Sequence, residues 1–514
     1  MGRNKSSQKE TSNGFLGTIE KVGNKLPHPA MLFVLLALFI IVVSEIVARM
    51  GISATYVDAR LGEEVTTTAV SLLNGEGLSF IFNSATDNFT GFAPLGTVLV
   101  AMLGVGVAEW SGLIGDALKK LIKSVPTALL TSVVIFAGIV SNIASDAGYV
   151  VIIPLGAIVF AGAGRHPIAG IAAAFAGVSG GYSANLVIGP TDALLTGITN
   201  AALSSAGIDY EMAVTGNWYF MIVSTFLLTI VGTIITEKVI EPRLGEYKGS
   251  YRPDDEPLTE LQQKGLKRAG LAVLAYVVIM GLLLVPENAP LRALDEATGL
   301  MTMDNFLSHG LIFAIFLLFV IPGFVYGKTL GKINNSNDLV EGMTQSMSSM
   351  GGYIVLAFFA AQFISYFSYT NLGTILSVNG ADFLESIGFT GIPLIIAFTI
   401  LAAFLDLFLG SASAKWAIMA PIFVPMLFNL GLTPELTQIA YRIADSTSNI
   451  ITPLMSYFAM VLVFMKRYDK KSGLGTLIST MLPYSMSFLV VWLLLLVIWY
   501  FTGLPVGPGA YMSF

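Results

Sequence analysis

The chain has 514 residues, of which 54% are hydrophobic and 12% charged, with a formal net charge of −6. A soluble domain carries about a quarter charged residues, so the composition excludes a soluble enzyme and indicates a polytopic membrane protein. Cysteine is absent, which excludes disulfides and thiolate chemistry. His28, His166 and His309 are too far apart in sequence for a metal-ligand spacing, and no basic patch interleaves with aromatics to suggest nucleic acid.

In chain order, residues 1–29 form a polar tail without the apolar core and small-residue cleavage site of a signal peptide. The tail is expected in the cytoplasm. A first span covers 30–47, a polar segment runs to about 77, and a second span covers 93–113. Lys119, Lys120 and Lys123 return the chain to a basic face. Residues 125–164 are apolar except at the centre, where Ser141, Asn142, Ser145 and Asp146 stand. The two arms reach about 24 and 27 Å at 1.5 Å per residue, short of a ~30 Å bilayer core. A re-entrant hairpin with a polar tip fits; two short spans joined by a tight turn are the alternative.

The next apolar run, 167–202, is long enough to span, yet its middle reads Ser183-Ala-Asn185-Leu-Val-Ile-Gly189-Pro190-Thr-Asp192. Gly-Pro lets the backbone leave helical geometry, and open backbone groups at membrane depth are tolerated only around a cavity or under protein cover. A helix broken there is a binding-site candidate. A span at 218–235 closes a first half, 30–236, and a mixed-charge cytoplasmic linker, 237–268, leads to the second, 269–514. That half starts with spans at 269–285 and 307–325, a polar interfacial helix at 331–351 and a span at 352–369. The pattern then returns. Residues 388–430 have a polar centre at Asp406, Gly410, Ser411, Ser413, Lys415 and Trp416. Residues 435–465 are interrupted around Arg442, Asp445, Ser446, Ser448, Asn449 and Pro453, and a last span covers 486–504. Most lysines and arginines fall on one side if the N-terminus is cytoplasmic, as the positive-inside rule asks.

A polar-centred hairpin followed by a broken helix thus occurs twice, from opposite sides. Inverted repeats whose discontinuous helices meet at the midplane are the architecture of secondary transporters. The expected fold is therefore an all-α polytopic membrane protein, an inverted repeat with two re-entrant helical hairpins and two broken helices. Ionisable groups in apolar segments are costly and mark function. Asp192 reads as a cation- or proton-coupled carboxylate, or as the N-cap of the second half-helix. Arg442 and Asp445, three apart on a helix, read as an ion pair, or as a carboxylate-binding arginine oriented by Asp445. Lys415 meets an anion or snorkels, with Asp406 as its local partner rather than a site residue. Trp416 stacks on an aromatic substrate or sits at the interface. Asn185 stands inside the first break. Ser141, Asn142, Ser145, Ser183, Asn185, Ser448 and Asn449 offer hard oxygen ligands, suited to Na⁺ rather than a transition metal. The run Gly323 to Thr329 is one residue short of a phosphate-loop spacing, which removes ATP-driven pumping by this chain. No cofactor is expected beyond a coupling Na⁺ or H⁺.

Four stretches, Ser141 to Gly148, Ser183 to Asp192, Gly410 to Ala417 and Arg442 to Pro453, resemble the AbgT family of p-aminobenzoyl-glutamate transporters, over nearly the whole chain. The resemblance implies a homodimer in the inner membrane, with about nine spans and two re-entrant hairpins per subunit. It implies import of p-aminobenzoyl-glutamate in some members, export of sulfonamide antimetabolites in others, and cation dependence in part of the family. By motif, its functional positions fall on Asp192, Ser413, Trp416, Pro434, Arg442, Asp445 and Pro453. The expected partners are a small anionic substrate and the lipid bilayer. A dicarboxylate or other organic-anion symporter of related architecture is the alternative within the class, and a gated channel the alternative outside it.

Overall fold

A computed structural model describes residues 29–57, 64–123, 126–144, 148–248, 257–294, 301–303, 305–453, 455 and 457–514. The N-terminal tail to residue 28, part of the first polar centre (Ser145 and Asp146 included) and the middle of the linker lie outside the described residues.

The described chain is mostly helical: α1 (Pro29–Arg49), α2 (Gly75–Asn83), α3 (Ala85–Thr90), α4 (Ala93–Ser111), α5 (Leu113–Lys123), α6 (Leu130–Val140), α7 (Ile153–Gly162), α8 (Pro167–Phe175), α9 (Pro190–Ser205) and α10 (Trp218–Ile235) come first. Then follow α11 (Glu260–Leu284), α12 (Leu311–Thr329), α13 (Ser336–Ser349), α14 (Gly351–Tyr369), α15 (Leu372–Ser386), α16 (Gly391–Asp406), α17 (Ala412–Asn429), α18 (Pro434–Asn449), α19 (Phe458–Tyr468) and α20 (Leu474–Thr502). Among the described residues, six helices are long and apolar enough to cross a membrane, and a seventh span arises if α4 and α5, bent by 65°, count as one. The helices of the polar-centred segments are shorter.

Two features refine the sequence reading. The fold is not purely helical: β1 (Ser53–Val57) pairs antiparallel with β2 (Glu64–Thr68), and β3 (Ala293–Leu294) with β4 (Met301–Thr302). The alternating Glu-Val-Thr-Thr-Thr of β2 suits a half-exposed strand, and Thr55 and Thr66 face each other with hydroxyls 2.9 Å apart. Part of the charged linker is helical. Its last turns are helical, because Thr259 and Gln262 cap each other's backbone and start α11 at Glu260.

Burial is inverted relative to a soluble protein. On α10, Phe226, Ile230 and Ile234 form an outward stripe, each more than half exposed. On α11, Leu271, Leu274, Val278 and Leu282 do the same. Such faces are unfavourable in water and at home in lipid. By contrast every residue of α18 is buried, with Gln438, Arg442, Asp445, Ser446 and Asn449 among them.

The elements beside the first break pack backbone to backbone. A Cβ on Gly170 of α8 would lie 2.2 Å from the Gly156 carbonyl of α7, and one on Gly177 2.4 Å from the Ile135 carbonyl of α6. Small residues permit this approach between helices in membranes. Gly177→Ala must therefore push α6 away, at a cost of about 1–3 kcal/mol. The expected result is a lower thermal midpoint in detergent; an unchanged midpoint would refute this packing.

Candidate functional site

After α8 the helix widens into a π turn, Ala176–Gly180, and unwinds over residues 181–189. Pro190 restarts it as α9: its fixed φ suits the first helical position, and its missing N–H would have been unpaired there anyway. Asp192 secures the restart. Its Oδ2 accepts from the Gly189 N–H at 2.8 Å and from Asn185 Nδ2 at 2.9 Å. The break is then stitched to α18. Arg442 Nη2 donates to the Ser183 carbonyl at 2.8 Å, and the Ser183 N–H donates to Ser446 Oγ at 3.1 Å. Trp218 Nε1 donates to the Leu186 carbonyl at 2.9 Å. Thus several backbone groups freed by the break are satisfied by side chains from elsewhere.

A second interruption follows α18. Thr433 caps α18, whose first residue is Pro434, and the helix ends at Asn449. The described residues between Asn449 and Phe458, which opens α19, are irregular, and Pro453 is one of them. Within α18, Arg442 and Asp445 do not pair with each other. Arg442 reaches the other half, with Nη2 2.7 Å from Asp192 Oδ1. Asp445 turns to Lys415, with Oδ1 2.9 Å from Nζ. The lysine also contacts Asp406, whose Oδ2 accepts from Ser448 Oγ at 2.8 Å. Asn449 Nδ2 donates to Asp445 Oδ2 at 3.1 Å. All five ionisable side chains are buried.

Trp416 is fully buried. Its ring stacks on Tyr441 with centroids 4.4 Å apart, and its Nε1 donates to Thr199 Oγ1 at 3.0 Å and to the Leu195 carbonyl at 3.2 Å. Its place is neither the bilayer interface nor a face open to substrate: it ties α17 to α9. Gln438 supports the same junction, donating to Thr199 Oγ1 at 2.9 Å and accepting from Asn217 Nδ2 at 2.7 Å.

The structure thus brings Asp192, Asn185, Ser183, Arg442 and Ser446 into one cluster, and Asp445, Lys415, Asp406, Ser448 and Asn449 into a second. α18 bridges them, one turn apart. Asn142 lies beside the first cluster, donating to the Ile139 carbonyl at 3.1 Å, while the Ser141 hydroxyl is taken by the Gly138 carbonyl at 2.6 Å. Ser145 lies outside the described residues. Ser413 lines a cavity between the breaks. Pro434 and Pro453 shape backbone and offer no donor. Among the described residues no group of His, Asp or Glu side chains converges as a metal set, so hard uncharged oxygens beside carboxylates are the donors at hand. Asp406 contacts Lys415, the local partner that the sequence reading expected for it, whereas Thr199, Gln438 and Tyr441 were missed. The signal for Asp406 was its place nine residues before a buried lysine; the other three become visible only once α9 and α18 are known to touch.

Comparison with known proteins shows the family. A model of the AbgT putative transporter family matches residues 14–514. The p-aminobenzoyl-glutamate transport protein of Escherichia coli K12 is 40% identical over 500 residues, covering 97% of either chain. Among solved structures, the Alcanivorax borkumensis YdaH transporter, described as having an unusual topology, is 44% identical with a TM-score of 0.87, over 94% of this chain and 100% of that one. Neisseria gonorrhoeae MtrF, described as illuminating a class of antimetabolite efflux pumps, is 45% identical with a TM-score of 0.89, over 97% and 100%. These relatives are transporters rather than enzymes, and this chain belongs to the AbgT transporter family.

Proposed function

We propose that this chain is a secondary active transporter of p-aminobenzoyl-glutamate or related folate-pathway compounds, coupled to Na⁺ or H⁺. The observation that carries the reading is the meeting of two discontinuous helices through Arg442, Asp192 and Ser183, in a chain closely similar to a p-aminobenzoyl-glutamate transport protein. Coupling is supported by a charge count. Arg442 and Lys415 face Asp192, Asp406 and Asp445, so the buried set holds one more carboxylate than cations. A buried excess charge is costly, and a bound Na⁺ or proton cancels it. Ser183, Asn185, Ser448 and Asn449 stand beside these carboxylates as oxygen donors for a cation, with Asn142 next to the first break.

The inverted repeat belongs to the same proposal. α6 packs against α8 and its π turn as α16 packs against α18, and α7 lies on α8 as α17 lies on α18. Each set then leads into a broken helix. On this reading the shorter apolar helices form two re-entrant hairpins, about nine spans cross an inner membrane with the N-terminus cytoplasmic, and the protein works as a homodimer. Export of sulfonamides is the second reading, favoured by the similarity to MtrF.

The test is uptake of labelled p-aminobenzoyl-glutamate into proteoliposomes under imposed Na⁺ and pH gradients, with sulfonamide export measured in parallel. The expected result is accumulation above equilibrium with at least one gradient. Competition by simple dicarboxylates but not by benzoyl-glutamates would favour the organic-anion symporter. Current without gradient coupling would favour a channel, and no movement of either compound would refute the proposal.

A further inference from the structure

A groove of about 400 Å³ runs between α5, α11 and α12 on one side and the first polar centre and first break on the other. Ala117, Gly270, Val273 and Phe319 line the first side, Ile143 and Val187 the second. Every lining residue is apolar except Ser141, whose hydroxyl is taken by the Gly138 carbonyl. Val187 belongs to the unwound stretch and is 37% exposed. The first break thus turns an apolar side chain into this groove, where nothing in the chain covers it fully.

The rim of the groove is basic. On α5, which leaves the axis of α4 by 65°, Lys120 stands one turn beyond Ala117. On α11, Lys267 stands one turn before Gly270, and Lys264 one turn further out. All three lysines are exposed, and among the described residues none of them forms a salt bridge. The acids on the same two helices are engaged or remote. Asp116 accepts from the Tyr326 hydroxyl and from Gln262 Nε2 at 3.0 Å, and Glu260 opens α11 about 10 Å from Lys267 along the helix axis.

An apolar floor with an unpaired cationic rim complements an amphiphile with an anionic head and a hydrocarbon tail. Basic pockets between membrane helices take anionic lipid head groups in this way. Residues 1–28 of the chain are a poor occupant, being polar and carrying Arg3, Lys5, Lys9, Lys21 and Lys25 against Glu10 and Glu20. We infer that the groove binds one anionic phospholipid of the surrounding membrane. Its phosphate sits at Lys120 and Lys267, and one acyl chain runs over Gly270, Val273 and Phe319 as far as Ile143 and Val187. The lipid supplies the apolar cover that the first break lacks at Val187. The site shares no residue with the Arg442 and Lys415 clusters and does not depend on which compound is transported.

The test is native mass spectrometry of the full-length protein in detergent, titrated with dioleoyl-phosphatidylglycerol or with dioleoyl-phosphatidylcholine, whose chains are identical. Wild-type protein is expected to bind the first phosphatidylglycerol about tenfold more tightly. The double variant Lys120→Gln with Lys267→Gln is expected to bring the two lipids within about twofold of each other. Gly270→Phe fills the groove: a Cβ at Gly270 meets nothing within 4 Å, so α11 accepts the side chain. That variant is expected to weaken both lipids at least about fivefold, with the thermal midpoint of the lipid-free protein unchanged. If it does not fold, Ala117→Phe on the facing helix gives the same reading. Equal binding of the two lipids by wild type, or a preference that survives in the lysine variant, overturns the inference. So does unaltered binding in the folded phenylalanine variant, because surface charge alone then holds the lipid. Displacement of bound phosphatidylglycerol by p-aminobenzoyl-glutamate also overturns it and gives the groove to the transported compound.

Discussion

Arg442→Met is expected to abolish uptake and to destabilise the protein by about 3–5 kcal/mol, the usual cost of leaving a buried charge without its partner. Arg442 holds two things at once: the Asp192 carboxylate, at 2.7 Å, and the Ser183 carbonyl in the first break, at 2.8 Å. Methionine fills the volume but satisfies neither. The double variant Arg442→Met with Asp192→Leu separates the two roles. Removing both charges of a buried pair is often neutral for stability, so the double variant should melt closer to wild type than the single. It should still transport nothing, because the Ser183 carbonyl, the Gly189 N–H and the Asn185 amide have lost their partners and the break loses its shape. Thermal unfolding in detergent and uptake in proteoliposomes measure the two effects. Wild-type uptake in the double variant would remove Arg442 and Asp192 from the site. Wild-type uptake in Asp192→Ala would by itself remove Asp192.

This pair also shows how far a sequence can be read. That the helix near Gly189-Pro190 is broken follows from local chemistry, since glycine, proline and polar groups cannot continue a span in lipid without help. That Arg442 belongs to a site follows from the cost of placing it in an apolar run. Its partner does not follow, because Asp192 is 250 positions away and only the packing of α18 on the first break brings them together. Local spacing favoured Asp445, three residues on, yet α18 is buried on all sides and Asp445 points to α17. Trp416 shows the same limit. A tryptophan beside a polar tip faces substrate, lipid or a neighbouring helix according to the helix's rotation, and here α9 and Tyr441 claim it. Length and hydropathy found the six long spans but pass over the helices that carry the site. α18 holds Arg442, Asp445 and many hydroxyls, and the hairpin helices are short. Polar helices at membrane depth become affordable through partners, and partners are a property of the fold. The strand pair β1–β2 escaped because a short, half-exposed alternation of threonine and valine resembles any polar connection.

Asp406→Asn is expected to separate transport from its driving force. In the wild type one lysine serves two carboxylates, Asp406 and Asp445, while Asp192 is matched by Arg442. Asparagine keeps the shape of Asp406: its oxygen remains for Lys415, and its NH₂ meets Ser448 Oγ, whose single O–H then turns from position 406 to the Ala444 carbonyl, 2.6 Å away. The variant therefore has balanced charge, two pairs and no excess, so a cation or proton is no longer required for the substrate-free carrier to change state. Accumulation driven by the imposed Na⁺ or pH gradient should fall at least about tenfold, while exchange of labelled for unlabelled substrate continues; each tenfold corresponds to about 1.4 kcal/mol of coupling. Lys415→Met makes the opposite error, leaving two carboxylates buried beside each other, and should lose folding together with transport. The pair of variants tests the charge count directly. If Asp406→Asn still accumulates substrate as the wild type does, the excess carboxylate is not the coupling site, and the cation must be sought at Ser183, Asn185 and Asn142 around the first break.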